Sequence, residues 1–182
     1  MAREISTHKI ALLAPFELAE PRSLAEAIAL LQAREGTVRP MAGGTALMLM
    51  MKAGVLGPSR LVNLRRLGFD HLEVDARGAL QVGAMVTLRA LETSPLVRKG
   101  WPVIARALRT LSNVRVRNVA RIGGHLAHGD PHMDLPPLLS ALGASVTIAG
   151  ARRISSARRA PPTTGRRSAW RWSLRATSRA SS

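Results

Sequence analysis

The sequence predicts an α+β fold in two pieces, residues 9–57 and 58–150, followed by a basic low-complexity stretch over 151–182. Three observations carry this. Two short apolar runs, residues 38–41 and 119–122, each lead into a glycine pair, Gly43-Gly44 and Gly123-Gly124. Segments of helical period are interspersed with short strand-like runs, without the strict βαβ alternation of a purely parallel fold. After Gly150 the composition changes abruptly to Arg, Ser, Ala, Thr and Pro.

Taken in order, Ser23 followed by Glu26 forms a capping box, and Leu24, Ala27, Ile28, Leu30 and Leu31 repeat at helical spacing. That helix is expected to stop near Gly36. Residues 38–41 read as a strand entering the first glycine pair, with Thr45 capping a helix through Leu47 to Lys52. This order imitates a dinucleotide-binding start, but the Gly-x-Gly-x-x-Gly pattern is absent. Pro58 opens the second piece. Residues 61–64 read as a strand, and 72–75 with 79–83 as a hairpin around Arg77-Gly78. Residues 88–93 give a short helix before Pro95, residues 101–111 a helix with Pro102 in its first turn, residues 136–142 another, and 144–148 a strand.

Both glycine pairs are expected in loops after a strand, where φ > 0 is accessible and no Cβ blocks a ligand. Successive free N–H groups in such a turn suit a phosphate, so two such loops point to a two-sided clamp on a diphosphate.

Several function classes are excluded or disfavoured. With no cysteine, the chain has no disulfide, no thiolate zinc site and no iron–sulfur cluster of its own. No run reaches the roughly 18 apolar residues of a membrane span. Residues 1–9 are polar without a signal-peptide core after them, so the cytoplasm is expected. The net charge of +16 is uneven: residues 151–182 hold nine arginines and no acid, leaving 18 basic and 11 acidic side chains in 1–150. The body lacks the surface aromatics on which bases stack, so nucleic acid is not the expected partner. A basic non-enzymatic module that binds nucleic acid or an acidic partner is the alternative class. His125, His128 and His132 with Asp130 and Asp134 give metal-like spacing without rigid support, and no metal site is expected.

The series Arg117-Asn118-Val119-Ala120, Ile122-Gly123-Gly124, Leu126-Ala127-His128, Asp130-Pro131 and Asp134-Leu135-Pro136 resembles the FAD-binding subunit of the molybdenum hydroxylases. These are the medium chains of carbon monoxide dehydrogenase and xanthine dehydrogenase-like enzymes. Ala42-Gly43-Gly44-Thr45 with Leu47 and Met51-Lys52 is similar to that family's first glycine loop. Pro15-Phe16, Pro21, Val82-Gly83-Ala84, Thr87 and Leu91-Glu92 also fall where the family has them, so the match covers about residues 9–150.

The resemblance implies a two-subdomain FAD-binding fold of the PCMH and vanillyl-alcohol oxidase type. It implies FAD as cofactor, and partners in a molybdopterin-containing large subunit and a [2Fe–2S] small subunit. Electrons would pass from the clusters through FAD to an external acceptor. No residue is then needed as a catalytic acid, base or nucleophile. By the same likeness, the flavin contacts fall to Ala42, Gly43, Gly44, Thr45, Ala46 and Leu47 in the first loop. In the second they fall to Arg121, Ile122, Gly123, Gly124 and His125, with Asp134 beyond. Arg121 stands where the family usually has Ser or Thr, His125 where it has Asn, and Ala46 where it often has a polar side chain.

Beyond Gly150 the resemblance stops, and the family's later flavin-domain strands and C-terminal subdomain are not recognisable. The text fails at one point rather than fading, which favours a shifted reading frame over a disordered basic tail. The strand at 144–148 is then expected to keep an open edge, and the chain to hold flavin weakly.

Overall fold

The computed structural model describes residues 14–32 and 37–150, together with the backbone of 154–157 and 169–170. The expected helix stop at Gly36, the polar residues 1–9 and most of the arginine-rich stretch lie outside the described residues.

The first piece is built on a parallel sheet in the order β1 (Glu17–Ala19), β3 (Arg60–Asn63), β2 (Val38–Met41). Glu17 registers with Arg60, and Met41 with Asn63. The expected break at 57/58 falls just before β3, yet β3 is the central strand, so this sheet carries the first piece on to Asn63. Helix α1 (Leu24–Gln32) starts as its capping box requires. Glu26 N–H donates to Ser23 Oγ at 3.1 Å, and the Glu26 carboxylate accepts from Arg22 N–H at 2.9 Å. Its apolar face closes a small core of Ala27, Leu31, Val38, Val62, Leu64 and Met85. Between β2 and β3 runs α2 (Thr45–Lys52), the crossover that a parallel pair needs. Among its residues only Met51 is buried.

The second piece has a larger core. The hairpin β4 (Leu72–Val74) and β5 (Leu80–Val82) is antiparallel as read from Arg77-Gly78. Asp75 holds the turn, its carboxylate accepting from the N–H groups of Arg77 and Ala79 at 2.9 Å each. Five short helices follow: α3 (Leu88–Thr93), α4 (Pro95–Gly100), α5 (Pro102–Thr110), α6 (Val114–Val119) and α7 (Ile122–His128). Then come α8 (Leu135–Ala141) and β6 (Val146–Ala149). Leu80, Leu88, Leu91, Ile104, Leu108, Ile122 and Leu135 are wholly buried here, each stabilising the fold by about 1.5–3 kcal/mol relative to exposure. Phe69 packs against both cores and marks the seam.

The helix at 88–93 ends before Pro95 as read, and Pro95 then opens a further helix, α4, in whose first turn its missing N–H costs nothing. Two expectations are corrected. The run 119–122 is not a strand: Val119 ends α6, Ile122 begins α7, and only Ala120 and Arg121 between them are extended. That short link still pairs, through an isolated antiparallel bridge from Arg121 to Thr87. Finally, the expected open edge of β6 is closed in part: one side is paired throughout and the other only at Ile148 and Ala149. The backbone of β7 (Ile154–Ala157) pairs along one side and that of β8 (Ala169–Trp170) on the other, both antiparallel. No helix among the described residues is long and apolar enough to cross a membrane.

Candidate cofactor site

The two glycine pairs meet at the seam. A Cβ built on Gly43 would overlap the carbonyl oxygen of Val119 and lie 3.0 Å from the Ala120 Cα, so the first loop rests on the backbone link between α6 and α7. A Cβ on Gly124 would come within 3.0 Å of the Ala42 Cβ. Only glycine permits the approach at Gly43, whereas at Gly124 a Cβ would require the Ala42 methyl to give by a few tenths of an ångström.

The pairs differ in local structure from the expected loops. Gly44 alone has a left-handed backbone, φ 74°, and it is Gly44 rather than Thr45 that occupies the N-cap of α2. Thr45 is the first helical residue. The N–H groups of Thr45, Ala46 and Leu47 precede the first internal bond of α2, from Met48 N to Gly44 O at 2.9 Å. Gly123 and Gly124 lie inside the first turn of α7 with no positive φ. The Ile122 and Gly123 N–H groups are taken by the carbonyls of Val86 at 3.0 Å and Ala84 at 2.9 Å. Among the described residues, the Gly124 N–H has no backbone carbonyl partner. The second pair therefore presents one free N–H at the junction, not a row of them.

Two side chains flank this junction with buried nitrogens that lack a partner: Arg121 Nε and His125 Nε2. The guanidinium of Arg121 reaches across the seam, donating from one terminal nitrogen to the Met85 carbonyl at 2.8 Å. Burial first, then the neighbouring Arg65 charge, lower its pKa, and Asp70 opposes them. It remains a cation at any working pH. His125, on the helix turn after Gly124, is pushed down to about 4, chiefly by burial and then by the His128 charge, against the pull of Asp130. It is therefore neutral near pH 7.

The remaining acids and histidines do not converge. Asp130 shapes its own turn, accepting from His132 N–H at 2.9 Å with the His132 ring at 3.0 Å. Among the described residues, no three His, Asp or Glu side chains gather where they could hold a metal. Asp134 sits at the N-cap of α8, exposed, and its carboxylate makes no capping bond.

Beneath the junction is a buried ion pair that sequence reading missed. Arg117 Nε donates to Glu92 Oε2 at 2.9 Å, and both side chains are more than nine-tenths buried. Another Arg117 nitrogen donates to the carbonyls of Leu111 at 3.0 Å and Ser112 at 2.7 Å. These bonds fix the turn into α6, and α6 carries Val119 to Gly43. The sequence offered no signal beyond an acid on the inner face of the Leu88–Thr93 helix.

Residues 14–160 match the family model of the FAD binding domain in molybdopterin dehydrogenase. The chain belongs to this family. FAD is the family's cofactor. The FAD-binding chain is 36% identical to the carbon monoxide dehydrogenase medium chain of Afipia carboxidovorans over 136 residues, covering 74% of this chain and 47% of that one. To the glyceraldehyde dehydrogenase medium chain of Sulfolobus acidocaldarius it is 31% identical over 136 residues, covering 75% and 48%. Among solved structures, quinoline 2-oxidoreductase from Pseudomonas putida 86 superposes with a TM-score of 0.81 at 30% identity, covering 91% of this chain and 61% of that one. Carbon monoxide dehydrogenase from Hydrogenophaga pseudoflava gives 0.84 at 26% identity, covering 92% and 61%. The chain thus spans about half the length of the curated relatives it matches.

The residues present fit an FAD-binding role. The N–H groups at the start of α2 and at Gly124 have no backbone carbonyl partner, the unpartnered Arg121 Nε–H suits an anion, and the His125 ring nitrogen beside it donates in the Nε2–H tautomer.

Proposed function

We propose that this chain holds FAD within a molybdenum-hydroxylase-type oxidoreductase and that the contacting glycine loops are its diphosphate clamp. In this reading Ala42, Gly43, Gly44, Thr45, Ala46 and Leu47 form one jaw, with the N–H groups at the start of α2 directed at phosphate oxygens. Arg121, Ile122, Gly123, Gly124 and His125 form the other, with Arg121 supplying charge and neutral His125 a ring N–H. The Asp134 carboxylate, free of any capping bond, accepts from ribityl or ribose hydroxyls. What carries the reading is the contact between the two glycine-bearing segments, Gly43 against Val119 and Gly124 against Ala42, with buried, unpartnered nitrogens of Arg121 and His125 beside it.

When bound, FAD supplies the redox chemistry, exchanging electrons singly with an iron–sulfur cluster and in pairs with an acceptor. The chain's own residues bind and orient; none is needed to move a proton. The proposed partners are a molybdopterin-containing large subunit and a [2Fe–2S] small subunit, with substrate choice belonging to the former.

Purification of the chain with FAD added, followed by desalting and mixing with the chemically reduced [2Fe–2S] subunit, tests the proposal. Retained flavin whose absorbance bleaches on mixing supports it. Colourless protein that instead binds nucleic acid with a steep salt dependence overturns it in favour of a basic binding module.

A further inference from the structure

We propose that Arg65 is a second cationic contact to the diphosphate, paired with Arg121, and that the two together select a dinucleotide over a mononucleotide. This rests on the FAD clamp proposed above and adds a residue from a third segment of the chain.

The placement follows from the sheet. Asn63 pairs with Met41, and Leu64 N–H donates to the Met41 carbonyl at 3.0 Å. The chain leaving β3 and the first glycine loop therefore depart side by side from the carboxyl ends of neighbouring parallel strands, where α/β sheets commonly take their ligands. Asn63 pins the exit: its Oδ1 accepts from Arg65 N–H at 3.1 Å, and its Nδ2 donates to Glu20 at 3.0 Å. Of the two adjacent arginines, Arg66 pairs with Glu20 at 3.6 Å. Arg65 is exposed and has no carboxylate partner among the described residues.

From the other side, Arg121 reaches the Met85 carbonyl, and Met85 packs in the same small core as Leu64 while its N–H donates to Phe69 O at 2.7 Å. That brings the two guanidinium groups within electrostatic range of each other, with Asp70 as the one carboxylate acting on Arg121. Arg121 thus faces one neighbouring cation and one acid, and its Nε is buried without a partner. Such a pair of cations repels in the free protein and gains when an anion carrying two charges lies between its members. The diphosphate of a dinucleotide spreads its two charges over two linked phosphates and can meet both guanidinium groups, whereas a mononucleotide concentrates its charge on one terminal phosphate that reaches only one of them. The plainer reading, two solvated arginines near each other by chance, predicts no ligand effect.

Calorimetric titration of the full 182-residue chain with FAD and with FMN, for wild type, Arg65→Ala and Arg65→Lys, decides between them. The expected result is an FAD Kd raised about tenfold in Arg65→Ala, about 1.4 kcal/mol. Arg65→Lys should recover part of the loss, FMN binding should be unchanged, and the free Arg65→Ala protein should melt no lower than wild type because a repulsion has been removed. An unchanged FAD Kd in Arg65→Ala overturns the pairing while leaving the glycine clamp standing. If wild type takes up no FAD, the clamp itself has failed, and inorganic pyrophosphate then tests the arginines alone. Saturable pyrophosphate binding that Arg65→Ala abolishes supports the anion grip; absence of binding overturns it.

Discussion

Gly43 packs against the Val119 carbonyl with no room for a Cβ between them. The contact is backbone on backbone, so no side-chain rotation relieves it. Gly43→Ala is expected to force the loops apart and cost about 1–3 kcal/mol, the scale of overpacking. Gly44→Ala meets only the Met41 and Met48 side chains, at 3.5 and 3.7 Å, and carries mainly the cost of its left-handed backbone, about 1 kcal/mol. Urea denaturation of both variants checks the ordering. A neutral Gly43→Ala would mean that the loops do not touch.

The Glu92–Arg117 pair makes stability pH-dependent in acid. Burial alone would raise the Glu92 pKa, but the hydrogen bonds from Arg89 and Arg117 outweigh it and hold the carboxyl below its usual value. A carboxyl lowered on folding stabilises above the unfolded pKa of about 4.3 and loses that contribution as pH falls through the folded value. Arg117→Met leaves Glu92 with Arg89 alone and strips a donor from the Leu111 and Ser112 carbonyls. A loss of about 3–5 kcal/mol at neutral pH is expected, as for one partner removed from a buried pair. Melting curves against pH should show a shallower acid dependence in the variant; parallel curves would count against the pairing.

His125 sets a second window. Its pKa is lowered to about 4 in the folded chain, against about 6.5 unfolded. Protons then favour the unfolded state, so stability is full above pH about 6.5 and falls as pH drops toward 4. His125→Asn should flatten the curve across that window. If the variant keeps the wild-type slope there, the dependence arises elsewhere.

Asp134 separates a ligand contact from a helix cap. Since its carboxylate makes no capping bond to α8, Asp134→Ala should leave the circular dichroism and melting temperature unchanged. FAD affinity should weaken by about 1.5–3 kcal/mol, the scale of a charge-assisted hydrogen bond. Unchanged affinity together with a lower melting temperature would assign the residue to the cap instead.

Much of this fold was legible because its elements obey simple periods. The Leu88–Thr93 helix, the hairpin about Arg77-Gly78 and the strand Val38–Met41 stand where alternation, turn chemistry and breakers place them. The region 114–128 was not, and propensity explains why. Val114, Val116 and Val119 are β-branched, and adjacent glycines are poor helix formers. Tertiary contacts override both: Asn113 caps α6 by accepting from Val116 N–H at 2.9 Å, and Gly123 lets α7 press against Ala84. β1 was missed because three residues between Pro15 and Pro21 carry no period to read. At the site, the sequence named the glycine pairs but not the contact of the segments that carry them, since nothing in the spacing says that Gly43 meets Val119 or that Gly124 meets Ala42.

The clamp itself is tested most directly at Gly124. A Cβ there meets only the Ala42 methyl, at 3.0 Å, rather than backbone, so the fold should survive substitution while the gap between the jaws closes. Bound FAD per chain, measured by absorbance after desalting wild type and Gly124→Val side by side with circular dichroism, gives the answer. FAD retained by the wild-type chain and none by a folded Gly124→Val is the expected result. Equal FAD in both proteins would contradict a clamp formed by the two glycine pairs.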